Sequence, residues 1–263
     1  MQRTMLIAAA FAVLSTASSA DACENCKLKD SGYYIGETTL LGNGTVRSWA
    51  RLAKDGTPIS LGVTFSQNSL SGLPADLPAD TKMRSYEYRL ELPKEAVGKT
   101  VFDHIGVDWN PKGHIPPKIY DVPHFDFHFY MISQDDRSKI VLDRSDLSKF
   151  QKKPDAKFMP EGYIYAPESE EPTMGAHWVD LATPELNGQP FTYTLIWGSY
   201  NGTVTFIEPM VTVAHLMKKE KVSIPIKMPA AFQKRGYYPT KYTIEYDPNR
   251  QEYTVAYEGF VKE

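Results

Sequence analysis

Polar and apolar residues alternate with a period of two along much of the chain, the spacing of a half-buried strand rather than of a helix. Ser85-Tyr86-Glu87-Tyr88-Arg89-Leu90-Glu91-Leu92 alternates without a break, and so does Lys241-Tyr242-Thr243-Ile244-Glu245-Tyr246. Turn signals separate such runs. Gly42-Asn43-Gly44 divides 37–41 from 45–52, Asn201-Gly202 divides 191–199 from 203–208, and Asp247-Pro248-Asn249 divides the last two strands. Asn-Gly takes the positive φ angles of a tight hairpin readily. Helical signals are few. Pro93–Val97 predicts one turn, and Ser145–Lys152 another with Ser145 or Asp146 as cap. Residues 210–219 read as a strand running on from a turn at Pro209, although Met210, Ala214 and Met217 would share a helix face. The Pro-rich stretches 72–78 and 161–172 read as surface loops. The expected fold is all-β, mainly an antiparallel sandwich or barrel with a few short helices, in one domain over 33–263.

The first twenty residues stand apart. Arg3 is followed by an apolar run from Met5 to Leu14 and then by the small residues Ser18-Ser19-Ala20. That is the pattern of a secretory signal peptide, with cleavage expected before Asp21 or before Cys23. The apolar run is about half of the ~20 residues a membrane span needs, and no later stretch approaches one. The mature protein is expected in the periplasm or secreted, with no transmembrane span. Segment 21–32 carries the two cysteines, Cys23 and Cys26. Lys27 stands where haem attachment would need His, and no second CxxC completes a zinc site. A local disulfide is expected in an oxidising compartment, with a lipid anchor on Cys23 as the alternative.

The balance of 29 basic against 32 acidic residues gives a net charge of −3, so a broad nucleic-acid-binding surface is not expected. Phosphate loops, nucleophile elbows and zincin helix motifs are absent from the sequence.

Chemistry gathers in one segment. Four of the six histidines lie between His104 and His128, densest in His124-Phe125-Asp126-Phe127-His128-Phe129-Tyr130. As a strand, this segment projects His124, Asp126 and His128 from one face and three phenylalanines from the other. Two imidazoles beside a carboxylate suit a metal or a proton-transfer set. Residues i and i+2 are ~7 Å apart and can share an ion, whereas i and i+4 are ~13 Å apart and cannot on a straight strand. The pair is therefore His124/Asp126 or Asp126/His128. Closing ligands are expected from His177, in Gly175-Ala176-His177-Trp178, and from Glu208, at the end of a strand before Pro209. His114 is expected outside the ligand set or against a substrate. His104 and His215 read as satisfied, partly buried histidines. Zinc is the first expected divalent metal, with iron and manganese as alternatives.

Several strings together carry a resemblance: Trp109-Asn110-Pro111-Lys112-Gly113-His114-Ile115-Pro116, then residues 120–130, then Gly175-Ala176-His177-Trp178-Val179-Asp180, then Glu208-Pro209-Met210. Over roughly 33–220 the chain resembles a family of exported bacterial proteins of unknown function typified by a Thermus protein under sigma-E/anti-sigma-E control. The resemblance implies a β-rich fold, a metal site at His124, Asp126, His128, His177 and Glu208, and a homo-oligomer. It supplies no reaction. Two functions compete: a metal-dependent enzyme acting on a small-molecule ligand, and a non-catalytic binding or structural module of the cell-envelope stress response.

Overall fold

The computed structural model describes residues 31–77 and 85–263. The expected signal peptide and Cys23-Cys26 lie outside these residues. The fold is all-β with three short α-helices among the described residues. One sheet has the order β1 (Ser31–Leu41), β2 (Gly44–Ala53), β3 (Pro58–Ser66), β14 (Glu252–Glu258), β13 (Lys241–Asp247) and β11 (Val222–Pro225). The other runs β4 (Tyr86–Glu91), β5 (His104–Asn110), β6 (His124–Tyr130), β10 (Thr203–Thr212), β9 (Tyr193–Tyr200), β8 (Ala176–Asp180) and β7 (Tyr163–Tyr165). A two-stranded ribbon pairs β12 (Tyr237–Tyr238) with β15 (Val261–Lys262). The named strand pairs are antiparallel, and neither large sheet closes on itself among the described residues.

The two large sheets pack face to face, which makes the fold a sandwich rather than a barrel. Phe65 on β3 stacks on Phe127 at 6.0 Å and tilts against Phe125 at 5.8 Å, both on β6. Tyr257 on β14 meets Phe129 at 4.5 Å. These rings belong to one continuous core drawn from both sheets. The phenylalanine face of β6 thus points into the sandwich, and its histidine face points away from it.

That outward face is nevertheless buried. The chain between β5 and β6, the loop before β8 and the connection from β8 to β9 fold over it around a second, smaller core of Tyr120, Tyr130, Phe191, Ile196, Phe206 and Met210. Gly113 makes one of these loops feasible. Its φ is +71°, and a Cβ there would lie 2.0 Å from the Tyr120 carbonyl oxygen that receives the His114 N–H.

Local expectations fail in four places. Residues 93–97 form consecutive hydrogen-bonded turns without a helix, because Pro93 and Ala96 carbonyls accept three-residue bonds only. The turn expected over 145–152 forms as the single-turn helix α2 (Ser148–Gln151), after α1 (Gln134–Ser138), but starts later than the expected caps Ser145 and Asp146 allow. Its cap falls at Leu147, with the Asp146 carboxylate receiving the Ser148 N–H. The strand expected over 210–219 ends at Thr212, whose hydroxyl accepts the His215 N–H and starts α3 (Val213–Leu216). Loop 161–172 contains the edge strand β7, which the short run Tyr163-Ile164-Tyr165 pairs to β8. No helix among the described residues is long and apolar enough to cross a membrane.

Candidate metal centre

Three strands build the floor of the site. On β6, His124, Asp126 and His128 alternate with the core phenylalanines and are each almost fully buried. β5 lies beside it in the register Asn110↔His124, Asp108↔Asp126, Gly106↔His128. On the other side β10 pairs Phe206 with Tyr130 and Met210 with Asp126, which sets Glu208 beside His128. Glu208 is therefore in the middle of a central strand, not at a strand end as its place before Pro209 suggested. Pro209 has no N–H to donate, and β10 runs straight through it.

His177 arrives from β8, two strands from β10. Its partner on β9 is Gly198. A Cβ at 198 would lie 2.1 Å from the Phe206 ring, so glycine lets Phe206 lie across β9. That ring then touches both His177 (5.2 Å) and His128 (4.9 Å).

The five expected ligands do not meet at one point. They divide between two triads, because His124 and His128 stand four residues apart on a regular strand. His114, His124 and Asp126 form one; His128, His177 and Glu208 form the other; within each, one ligand atom per residue lies within 4.8 Å of the rest. His114, expected outside the ligand set, stands inside the first.

In the first triad, His124 Nε2 lies 3.1 Å from Asp126 Oδ1 and 3.1 Å from His114 Nε2, and His114 Nε2 lies 3.5 Å from Asp126 Oδ2. In the second, Glu208 Oε2 is 3.3 Å from His128 Nε2 and 3.8 Å from His177 Nε2. Donors about 2.1 Å from a tetrahedral ion stand about 3.4 Å from one another. Both triads are close to that spacing.

The outer ring atoms fix which nitrogen is available. His114 Nδ1 is 2.7 Å from the Ile115 carbonyl, His124 Nδ1 is 2.7 Å from the Val122 carbonyl and His177 Nδ1 is 2.7 Å from the Ser169 carbonyl. A carbonyl only accepts, so each Nδ1 carries hydrogen and each Nε2 is turned inward. His128 Nδ1 faces Asp108 Oδ2 at 3.0 Å instead, and the Ser85 hydroxyl donates to the other oxygen of Asp108 at 2.6 Å. Asn110 Nδ2 donates to Asp126 Oδ2 at 2.7 Å. Asp126 Oδ1, His128 Nε2 and Glu208 Oε2 are buried without a well-aligned hydrogen bond. An unpaired buried polar atom costs about 1–3 kcal/mol, and here several adjoin.

Protons partly fill that role. Burial disfavours a charged His114, but the Asp126 carboxylate overrides it and holds the ring protonated to about pH 9. His128 is pushed up to about 9 in the same way, burial being overcome by Glu208 and Asp108. Burial pushes Glu208 up against the opposing charge of His128, so the two share a proton as a pair. Burial would raise Asp126 too, yet His124 and His114 hold it well below the usual carboxylate range. His177 goes the other way, down to about 3, through burial and then the neighbouring charge of His128.

Both triads border a cavity of about 370 Å³ whose remaining walls are largely apolar, including Met174, Val179, Ile196 and Met210. Asp108, Asn110 and Ser169 are supporting residues that the sequence reading did not single out for this role. A signal existed for two of them: Ile105, Val107 and Trp109 alternate with His104, Asp108 and Asn110 just as the phenylalanines of β6 alternate with its polar set. Ser169 acts through its backbone carbonyl, which leaves no trace in sequence. His104 and His215 lie outside both triads. His104 stacks on Tyr130 at 4.8 Å with Nδ1 against Asp103, and His215 packs on Tyr193.

A family model described as TTHB210-like, hypothetical protein TTHB210, matches residues 54–109. The matched segment runs from just before β3 to the end of β5. It contains Asp108 but no member of either triad, so the similarity bears on the scaffold behind the site. No curated protein and no solved structure matches the chain.

Proposed function

We propose that the protein is exported, holds a divalent metal at His128, His177 and Glu208, and uses it on a small molecule bound in the adjoining cavity. Zinc is the first choice for two imidazoles and one carboxylate, with Fe²⁺ or Mn²⁺ as alternatives. One observation carries the reading. His177 Nδ1 donates to the Ser169 carbonyl and His128 Nδ1 lies 3.0 Å from Asp108 Oδ2, while both Nε2 atoms and the unpaired Glu208 Oε2 lie within 4.8 Å of one another. Outer partners of that kind orient metal-ligating histidines and raise their basicity. Three protein ligands leave a fourth position for water or a ligand atom, where a metal polarises an oxygen or lowers the pKa of water. A cavity of about 370 Å³ with apolar walls suits a small molecule that offers one polar group to the floor.

The test is metal analysis of untagged protein recovered from the periplasm, its N-terminus sequenced in the same sample. Bound metal that His128→Ala abolishes, in a chain beginning at Asp21 or Cys23, supports the proposal. A metal-free chain unaffected by chelator, or one beginning at Met1, sinks the corresponding half.

The apolar walls also favour a second reading, a binding module of the cell-envelope stress response that retains its ligand unchanged. Native mass spectrometry of protein taken directly from the producing cell separates the two. A co-purifying molecule recovered unmodified after long incubation supports the module.

A further inference from the structure

The triad of His114, His124 and Asp126 is left over by that proposal, and it is built with equal care. His124 is fully buried, Asp126 nearly so, and both are anchored from behind by the Val122 carbonyl and by Asn110. The contact between His114 Nε2 and His124 Nε2 is the telling one. Each ring already donates from Nδ1 to a carbonyl, so each Nε2 of a neutral ring carries a lone pair. Two inward Nε2 atoms 3.1 Å apart, beside the buried Asp126 Oδ1, need a proton or a metal ion among them. A proton satisfies one contact at a time. A divalent ion satisfies the three donors together.

We infer that His114, His124 and Asp126 form a second divalent-metal site, separate from the one at His128, His177 and Glu208, so that the chain binds two ions on one cavity. The inference shares the metal reading of the neighbouring triad but does not follow from it. Asp126 and His128 are two residues apart on β6, which sets the ions about 7 Å apart. A pair sharing one bridging oxygen stands at about 3.5–4 Å. The two ions therefore share no bridging oxygen, and each draws on its own three ligands, so either site fills when the other is lost. His114 distinguishes the second site further. It rides on the loop between β5 and β6 and is partly exposed, so this ion is the more accessible of the two.

The test counts ions. The full chain with Cys23→Ser and Cys26→Ser, which removes thiolate ligands, is dialysed against Zn²⁺, desalted and analysed for metal. Two equivalents per chain are expected. His114→Ala, a loop substitution that leaves the strands intact, is expected to retain one equivalent. The affinity it loses should exceed the roughly 10–100-fold that loss of an outer partner costs. Asp126→Asn, which keeps the side-chain shape, is expected to do the same, and His177→Ala to lose the other ion and keep this one. Melting curves confirm that each variant is folded. One equivalent in the parent chain that His177→Ala abolishes, or two in His114→Ala, overturns the second site and leaves the first standing. Loss of both ions in either single-triad variant overturns their independence. No metal in the parent chain overturns both sites.

Discussion

The two faces of β6 are made from one seven-residue string and have opposite chemistry. On one, Phe125, Phe127 and Phe129 meet aromatic rings of the facing sheet in a dry core. On the other, His124, Asp126 and His128 are just as buried, but by loops, and several of their polar atoms lack a good partner. Burial is thus equal and its consequence is not. Apolar burial stabilises at about 25 cal/mol per Å². Burial of the polar set costs free energy until something positive enters. The first face holds the molecule together, and the second keeps buried polar atoms without aligned partners beside a cavity.

The comparison breaks first at its apolar side. Phe127→Ala should lower unfolding free energy by about 3–5 kcal/mol, the usual cost of deleting a buried ring. The folded fraction should still bind metal, because the ring points away from the triads. Urea denaturation and metal content of the same preparation check both statements, and unchanged stability would contradict the sandwich packing.

Metal removal comes next. At free ion ~100-fold above its dissociation constant, one site stabilises the fold by about 2.7 kcal/mol, which is a melting shift of several degrees for a chain of this size. Chelator should take that shift away. Uptake should also release protons near neutral pH, since His114 and His128 are held protonated to about pH 9 and must lose a proton to ligate. Calorimetry in buffers of different ionisation enthalpy reads this directly. Binding without proton release would place the ions elsewhere.

The metal-free protein should sharpen the contrast through pH. His177 is neutral in the fold down to about pH 3 but protonates near pH ~6.5 when unfolded. Its stabilising contribution is complete above ~6.5 and is lost as pH falls towards 3, at up to about 1.4 kcal/mol per unit. His128 has the opposite sign. Its contribution is complete below ~6.5 and is lost as pH rises through about 9. His177→Gln should therefore flatten the acid limb of stability against pH and leave the alkaline limb in place. An unchanged acid limb would show that the ring is not buried as described.

The smallest expected effect is a control. His215→Ala should leave metal content unchanged, because this ring, carried by α3, packs on Tyr193 of β9 outside both triads. Loss of an ion in that variant would mean that the pairing of histidines into triads is wrong.

Much of this molecule is written in short stretches of sequence. The alternation of polar and apolar residues determines the strands, since side chains two apart share a face wherever the strand lies. Asn201 and Gly202 adopt positive φ in the hairpin they announce, and residues 124–130 form the strand they spell. The same alternation separates the phenylalanines from the polar set. It could not say which strands become neighbours. Asp108 and Asn110 gain their roles from the register of β5 against β6, and His177 is set beside Gly198, whose missing Cβ leaves room for the Phe206 ring. His114 joins a triad because a glycine turn folds its loop back over the sheet. Strand identity is local, set within a few residues. The division of five expected ligands into two triads depends on contacts across tens of residues, and packing decides those.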